Sequence, residues 1–325
     1  MIIYNKELQK FLLVDYEDYK ENSLKYIIGQ RNGKGKEYNK NNNELIFEGE
    51  YLNGKRNGKG KEYNYLGELE FEGEYLNGKK TGKGKEYYDN GILRFEGEYL
   101  NGKIWNGKGY NINGNYEFDI KNGKGNIKLY DYNGNLKFEG EYLNGERSGK
   151  GKEYNYNDKF EGEYLNGERN GNGREYYDNN KLKFEGEYLN GNRWNGNGYN
   201  INGNYEFEIK NGKGNIKLYY HHGNLVFEGE YLYGKITGKG KQYNYFGELE
   251  FEGDFLNGKR NGKGKDYYDN GVLRFEGEYL SGKRWNGKGY NINGNYEFEI
   301  KNGKGNIKLY NHYGKLEFEG EYLNG

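Results

Sequence analysis

Hydrophobic and polar positions alternate with a period of two in short segments that recur along the chain. In Phe71-Glu72-Gly73-Glu74-Tyr75, the two aromatic residues and the glycine occupy one set of positions and the glutamates occupy the other. Successive side chains of a β-strand point to opposite faces. The segment therefore predicts a strand with an aromatic–Gly–aromatic row on one face and carboxylates on the other.

This segment belongs to a repeat. Phe-Glu-Gly-Glu-Tyr-Leu-Asn-Gly, with small changes, starts at Phe47, Phe71, Phe95, Phe138, Phe160, Phe184, Phe227, Phe251, Phe275 and Phe318. Most spacings are 22 to 24 residues, and the three spacings of 43 residues each contain a degenerate copy, at Tyr116, Tyr205 or Tyr296. With an earlier copy at Tyr26, the period predicts about thirteen units of a repeat architecture.

Each unit is predicted to be one β-hairpin. Asn77-Gly78 and Gly82 bracket one turn and Asp89-Asn90-Gly91 supplies the next, and Asn and Gly tolerate the positive φ that such turns need. The only tryptophans lie 89 and 91 residues apart, which indicates a superrepeat of four hairpins and about 90 residues. We expect residues 22–325 to form the array and residues 1–21 to form an N-terminal cap, with a short amphipathic helix around Leu8, Phe11 and Leu12.

The glycines inside the predicted strands suggest how the core is built. Gly73 and Gly84 have no side chains, so aromatic rings of neighbouring strands can lie over their backbone. On the other face, we expect Glu72 and Glu74 to face Lys83 and Lys85 across the hairpin. Gly84 and Tyr87 differ in parity, so the return strand either carries a bulge or places Tyr87 and Tyr88 on opposite faces.

Composition restricts the range of functions. Only 33% of residues are apolar, but aromatic residues reach 18% and 50 basic residues balance 50 acidic ones, which favours an ordered chain over a disordered one. Zero net charge disfavours duplex nucleic acid as a partner. The chain has no Cys, which is compatible with a cytoplasmic location, and its N-terminal apolar run is too short for a signal segment. Peripheral attachment to a membrane or to the cytoskeleton is the alternative location.

The pattern Phe/Tyr-Glu-Gly-Glu-Tyr-x-Asn-Gly-Lys-x-x-Gly-Lys-Gly resembles the MORN repeat, and the segment from Tyr87 to Phe95 resembles its bacterial-type variant. The resemblance covers about residues 22–325. It implies an all-β, elongated, twisted antiparallel array of about thirteen tandem hairpins, acting as a non-catalytic scaffold for protein–protein interaction. Family members also suggest two alternatives: a peripheral phospholipid-binding module, in which the Lys83/Lys85-type lysines would contact phospholipid, and an antitoxin-like protein. A carbohydrate-binding module is a further alternative, because tandem Tyr/Trp/Gly hairpins also resemble cell-wall-binding repeats.

The sequence predicts no catalytic, cofactor or metal site. Glu72 and Glu74 recur in almost every unit, whereas general acid–base catalysis needs one special environment. The pair His221-His222 occupies a predicted turn and lacks further ligands at metal-binding spacing. The few Ser and Thr residues do not accompany a histidine in a nucleophile pattern.

The most individual feature is the set of tryptophans. Trp105, Trp194 and Trp285 each precede a degenerate unit, and they are candidates either for core packing or for an exposed row that stacks on sugar rings or anchors a protein. A protein partner is expected first, with a phospholipid or glycan surface as the alternative. The final strand, which contains Tyr322, is expected to offer an edge for self-association.

Overall fold

The computed structural model describes residues 25–156, 158–311 and 315–323. These residues form strands joined by turns and contain no helix, which confirms the all-β prediction. Consequently no described helix could cross a membrane. The predicted N-terminal cap, residues 1–21, lies outside the described residues.

The chain divides into two compact units between Gly151 and Lys152. The first unit contains β1 Lys25–Gly29, β2 Gly33–Asn39, β3 Leu45–Leu52, β4 Lys55–Tyr63, β5 Leu69–Leu76, β6 Lys79–Tyr87, β7 Leu93–Leu100, β8 Lys103–Tyr110, β9 Tyr116–Ile120, β10 Gly125–Tyr130 and β11 Leu136–Leu143. Strand β12, Glu146–Tyr154, contains the boundary. The second unit contains β13 Asp158–Leu165, β14 Glu168–Tyr177, β15 Leu182–Leu189, β16 Asn192–Tyr199, β17 Tyr205–Ile209, β18 Lys213–Tyr219, β19 Leu225–Leu232, β20 Lys235–Tyr243, β21 Leu249–Leu256, β22 Lys259–Tyr267, β23 Leu273–Leu280, β24 Lys283–Tyr290, β25 Tyr296–Ile300, β26 Lys304–Tyr310 and β27 Leu316–Leu323.

Strands that are neighbours in sequence are neighbours in the sheets. In the first unit, β1 to β9 form one sheet in chain order, and β10 pairs with β11. In the second unit, β13 to β17 follow one another in order, as do β18 to β25, and β26 pairs with β27. The observed pairings are antiparallel, so the predicted tandem array of hairpins is confirmed.

The turns fasten each hairpin to the preceding one. Asn77 and Gly78 have φ values of 52° and 86°, the left-handed conformation that the sequence predicted. The Gly78 N–H donates to the carbonyl oxygen of Arg56 at 2.8 Å, and the Gly102 N–H donates to that of Lys80 at 2.8 Å. Because these bonds join successive hairpins, the Asn-Gly turns also hold the repeats together.

The core is a layer of aromatic rings over glycine. Gly73 of β5 lies opposite Gly84 of β6, and Phe71 lies over both of them with no exposed surface. Tyr75 packs edge-on against Phe71, with ring centroids 5.5 Å apart. The ammonium of Lys80 lies 4.0 Å from the centre of the Phe71 ring. Phe71 is thus enclosed by glycine backbone, a tyrosine edge and a cation.

Charge pairing across the hairpin differs in part from the sequence-based expectation. Glu72 lies opposite Lys85 as predicted, but Glu74 lies opposite Thr81 because β6 bulges at Gly82 and Lys83. Lys83 instead faces Glu98 of the next hairpin. A bulge inserts extra residues in one strand only, so it moves the later residues of that strand to new partners.

The sequence analysis offered two explanations for the return strand: a bulge, or opposite faces for Tyr87 and Tyr88. The structure shows both. A second irregularity separates the pair Glu86–Phe95 from the pair Tyr87–Leu93. Tyr87 also lies on the charged face, whereas Tyr88 is only 1% exposed and belongs to the core. The third carboxylate of the hairpin, Glu86, therefore lies on the aromatic face.

Candidate functional site

A groove runs across the face opposite the aromatic core. In the first unit its floor is a glycine row that crosses successive paired strands: Gly35, Gly49, Gly60, Gly73, Gly84 and Gly97. The two sequence neighbours of each floor glycine lie on opposite sides of the row. One neighbour belongs to the first wall and the other belongs to the second wall. The first wall is Lys36, Glu48, Lys61, Glu72, Lys85 and Glu96, and the second wall is Lys34, Glu50, Lys59, Glu74, Lys83 and Glu98. The groove has a volume of about 1230 Å³.

The second unit contains a groove of the same design. Its glycine row is Gly229, Gly240, Gly253, Gly264, Gly277 and Gly287, and its volume is about 1030 Å³. Its first wall is Lys217, Glu228, Lys241, Glu252, Lys265 and Glu276. Both volumes lie near the upper end of ordinary small-molecule pockets, which hold roughly 300–1,000 Å³. Each glycine row crosses six consecutive strands, so each groove is about 24 Å long.

The first wall is neutralised by its own pairs. Lys36 contacts Glu48 at 3.2 Å, and Lys85 contacts Glu96 at 3.9 Å. Glu72 also accepts a hydrogen bond from the hydroxyl of Tyr87 at 2.7 Å. Burial and this bond raise the pKa of Tyr87 to about 12. These contacts fix the wall side chains beside the floor.

The second wall is built differently, because its carboxylates stabilise the bulges. Glu50 accepts a hydrogen bond from the backbone N–H of Lys59 at 3.4 Å, and Asp254 accepts one from the N–H of Lys263 at 3.0 Å in the second unit. Within the described part of the chain, the ammonium groups of Lys34, Lys59 and Lys83 form no ion pair. Unpaired donors thus remain along the second wall of the first groove.

Comparison with protein-family models identifies the units. The MORN repeat model matches seven segments, residues 26–44, 47–64, 71–92, 138–158, 160–181, 227–243 and 251–272. The chain belongs to the MORN-repeat family. A comparison with curated proteins finds no match. The MORN array is a scaffold of repeats, and its fold is in general a non-enzymatic one.

The aromatic face of the MORN array contains ion pairs that the sequence analysis did not predict. Glu175 accepts hydrogen bonds from Arg193 at 2.5 Å and from the Tyr188 hydroxyl at 2.7 Å. Burial alone would raise the pKa of Glu175, but Arg193 and these bonds outweigh burial and lower the pKa to about 2. The guanidinium of Arg193 lies 4.7 Å from the centre of the Phe184 ring. The sequence does contain a signal for this position of Glu175. Glu175 lies two residues after Gly173 in the same strand, so the two residues share a face.

The candidate tryptophans lie at the degenerate MORN units. Trp105 covers the tight turn at Gly123, Trp194 covers Gly212 and Trp285 covers Gly303; a Cβ added to these glycines would approach the indole within 2.5–2.7 Å. All three side chains are half-buried. Trp194 also stacks on Tyr233, with ring centroids 5.6 Å apart. Each tryptophan therefore covers a turn of its own, and none belongs to the groove lining.

The degenerate MORN units also end the glycine rows. Ile120 lies opposite Gly107 and Ile300 lies opposite Gly287, and both isoleucines are at most 3% exposed. An isoleucine at this position fills the core from within its own strand. The glycine row of each unit therefore stops at one of these isoleucines.

The described residues were also compared with the requirements of a metal site and of a histidine-based site. The described residues contain no group of three or more His, Cys, Asp or Glu side chains arranged to hold a metal ion. The Nε2–H of His222 donates a hydrogen bond to the Tyr245 carbonyl oxygen at 3.0 Å, and the His222 ring packs against the Tyr245 ring. Within the described part of the chain, His221 and His222 lie in or next to a turn, and His222 packs against aromatic rings there.

Proposed function

We propose that the chain is a protein-binding scaffold whose two grooves hold extended segments of partner proteins. The observation that carries this proposal is that one groove design, a glycine floor between charged walls, occurs in both units. An enzyme places special groups at one point, whereas this surface repeats the same groups every hairpin. Repetition of weak contacts along a line is a basis for multivalent recognition.

The form of the groove favours a chain over a flat surface. Floor residues such as Gly73 and Gly84 pair with strands on both sides, so their backbone groups are already used. A partner therefore gains contacts with the glycine Cα atoms and the wall side chains, without forming new backbone ladders. A continuous bilayer surface would contact only the tips of the walls.

The absence of Cys makes a site-specific test direct. A Lys61→Cys variant carries the only thiol of the protein, at a wall position whose side chain is 48% exposed. We would attach a photo-crosslinker there and irradiate in a lysate of the source organism. The matched control is Lys121→Cys, which places the same probe on an exposed turn outside the groove lining.

The proposal expects defined proteins to be crosslinked from position 61 and not from position 121. A polyethylene glycol maleimide attached at position 61 in place of the crosslinker should abolish co-purification of the same proteins with the full chain. Equal capture from both positions would contradict the proposal. Liposome co-sedimentation and a glycan array, run on the same variants, test the alternative of phospholipid or carbohydrate binding, which would replace the proposal if only those ligands are retained.

A further inference from the structure

We infer that the groove of the first unit selects an acidic peptide in a polyproline II conformation, with a carboxylate at every third residue. This inference rests on the proposed function and specifies the partner's chemistry. Its evidence is a track of three lysines on the second wall, Lys34, Lys59 and Lys83. Each of them directly precedes a glycine of the floor.

The lysine track is available to a ligand because the carboxylates opposite Lys34 and Lys83 already accept hydrogen bonds. The carboxylate of Glu50 is held by the backbone N–H of Lys59, and that of Glu98 by the side-chain amide of Asn106 at 2.7 Å. Lys34, Lys59 and Lys83 are exposed, and their ammonium groups form no ion pair within the described residues. A bound carboxylate therefore meets free donors without displacing an existing partner.

The spacing of the lysine track sets the period of the ligand. Lys34, Lys59 and Lys83 lie on β2, β4 and β6, so consecutive lysines are two strand spacings apart, about 9.4–9.8 Å. Three residues of a polyproline II helix advance about 9.3 Å. An α-helix advances about 9.0 Å in six residues and about 10.5 Å in seven, so it does not return to the same phase at each lysine.

The hydrogen-bonding needs of the ligand backbone also favour the polyproline II conformation. Because the floor strands are paired on both sides, they leave no edge for a β-strand to join. A polyproline II segment has no internal hydrogen bonds and keeps its backbone hydrated. It therefore needs no backbone partner from an open groove, and it presents one residue of each three to the glycine floor.

The second unit offers an internal comparison. At the positions that correspond to the lysine track, its groove has Asn215, Lys239 and Lys263. Lys239 is held by Asp254 at 2.7 Å, so only Lys263 remains without an ion pair among the described residues. The second groove should accordingly bind the same peptide more weakly.

The test uses the full chain and a labelled peptide of five Pro-Glu-Gln triplets, followed by fluorescence anisotropy at low salt. The reference peptide has the same composition with its glutamates at irregular spacing. We expect the regular peptide to bind at least fivefold more tightly than the reference. The triple variant Lys34→Gln, Lys59→Gln, Lys83→Gln should weaken its binding at least tenfold.

A matched variant removes the first-wall pairs without changing the net charge, through Lys36→Gln with Glu48→Gln, Lys61→Gln with Glu72→Gln and Lys85→Gln with Glu96→Gln. Because each lysine is removed together with the carboxylate it contacts, this variant should weaken binding less than threefold. Equal affinity for the two peptides, equal losses in the two variants, or equally tight binding of a single-stranded oligonucleotide would overturn the inference. If proteins are still crosslinked from position 61 in any of these cases, the scaffold function stands and only the proposed ligand chemistry fails.

Discussion

Phe71 lies over Gly84 of the neighbouring strand so closely that a Cβ on Gly84 would stand 2.6 Å from Cζ of the ring. Phe71 has no exposed surface, so it cannot move aside without disturbing Tyr75 and Lys80. We therefore expect Gly84→Ala to lower the free energy of unfolding by about 3 kcal/mol. Urea unfolding followed by circular dichroism measures the loss.

Gly35 provides the control for this prediction. A Cβ on Gly35 would meet Tyr51 at 3.1 Å, a contact that a small ring shift relieves. Gly35→Ala should therefore cost about 1 kcal/mol or less. Backbone entropy alone favours Ala over Gly, so a loss as large as that of Gly84→Ala would mean that the ring over Gly84 does not explain the preference for Gly.

The tyrosines of the charged face predict an alkaline limit of stability. Burial and a hydrogen bond to a first-wall carboxylate raise the pKa of Tyr63 and Tyr87 to about 12. The folded-state pKa exceeds the unfolded value of about 10, so their contribution is complete below pH 10 and is lost as the pH rises toward 12. Tyrosinate absorbance should rise together with the loss of β-sheet circular dichroism.

Denatured protein supplies the reference for the alkaline titration. In concentrated urea the same tyrosines should ionise near pH 10. Tyr87→Phe removes the hydroxyl that donates a hydrogen bond to Glu72. The pH midpoint of the alkaline transition should then move to the pH at which the remaining hydrogen-bonded tyrosines ionise. Ionisation near pH 10 in the folded protein, with no loss of structure, would contradict the hydrogen-bonded state of these side chains.

The sequence was sufficient to predict the fold but only part of the groove. Period-two alternation, Asn-Gly turns and strand glycines were sufficient to predict hairpins with rings over Gly73 and Gly84. The pairing of Lys83 with Glu98 was not predictable, because it depends on a bulge in β6 that moves Lys83 away from Glu74. The groove itself follows from the register of many strands, which no single repeat specifies.

The buried pair Glu175 and Arg193 predicts an acid limit of stability. The pKa of Glu175 is lowered from its ordinary value of 4.5 to about 2, so its contribution is present above pH 4.5 and is lost as the pH falls toward 2. This contribution is on the order of 3 kcal/mol. Glu175→Gln should therefore destabilise the protein at pH 7 and have little effect near pH 2.

A natural comparison exists at position 242, where a glutamine occupies the corresponding place and accepts a hydrogen bond from Arg260 at 3.3 Å. Gln242→Glu should add little acid-sensitive stability there, because Glu250 already pairs with Arg260 and would lie beside the new carboxylate. Urea unfolding at pH 7, 4 and 2 compares both variants with the parent protein. A constant difference between Glu175→Gln and the parent at all three values would show that the carboxylate is not ionised in the fold.

Trp194 tests whether the tryptophans are structural or available to a ligand. It is half-buried against the turn at Gly212 and stacks on Tyr233 at 5.6 Å. Trp194→Ala should therefore cost about 2–3 kcal/mol, within the lower range for loss of a large aromatic residue. Trp105, which also covers a tight turn but has Asn144 where Tyr233 stands, should cost about 1 kcal/mol less. If Trp194→Ala leaves the unfolding midpoint unchanged but removes proteins captured through the groove, the tryptophan acts in binding, and the partner surface extends beyond the walls to the degenerate units.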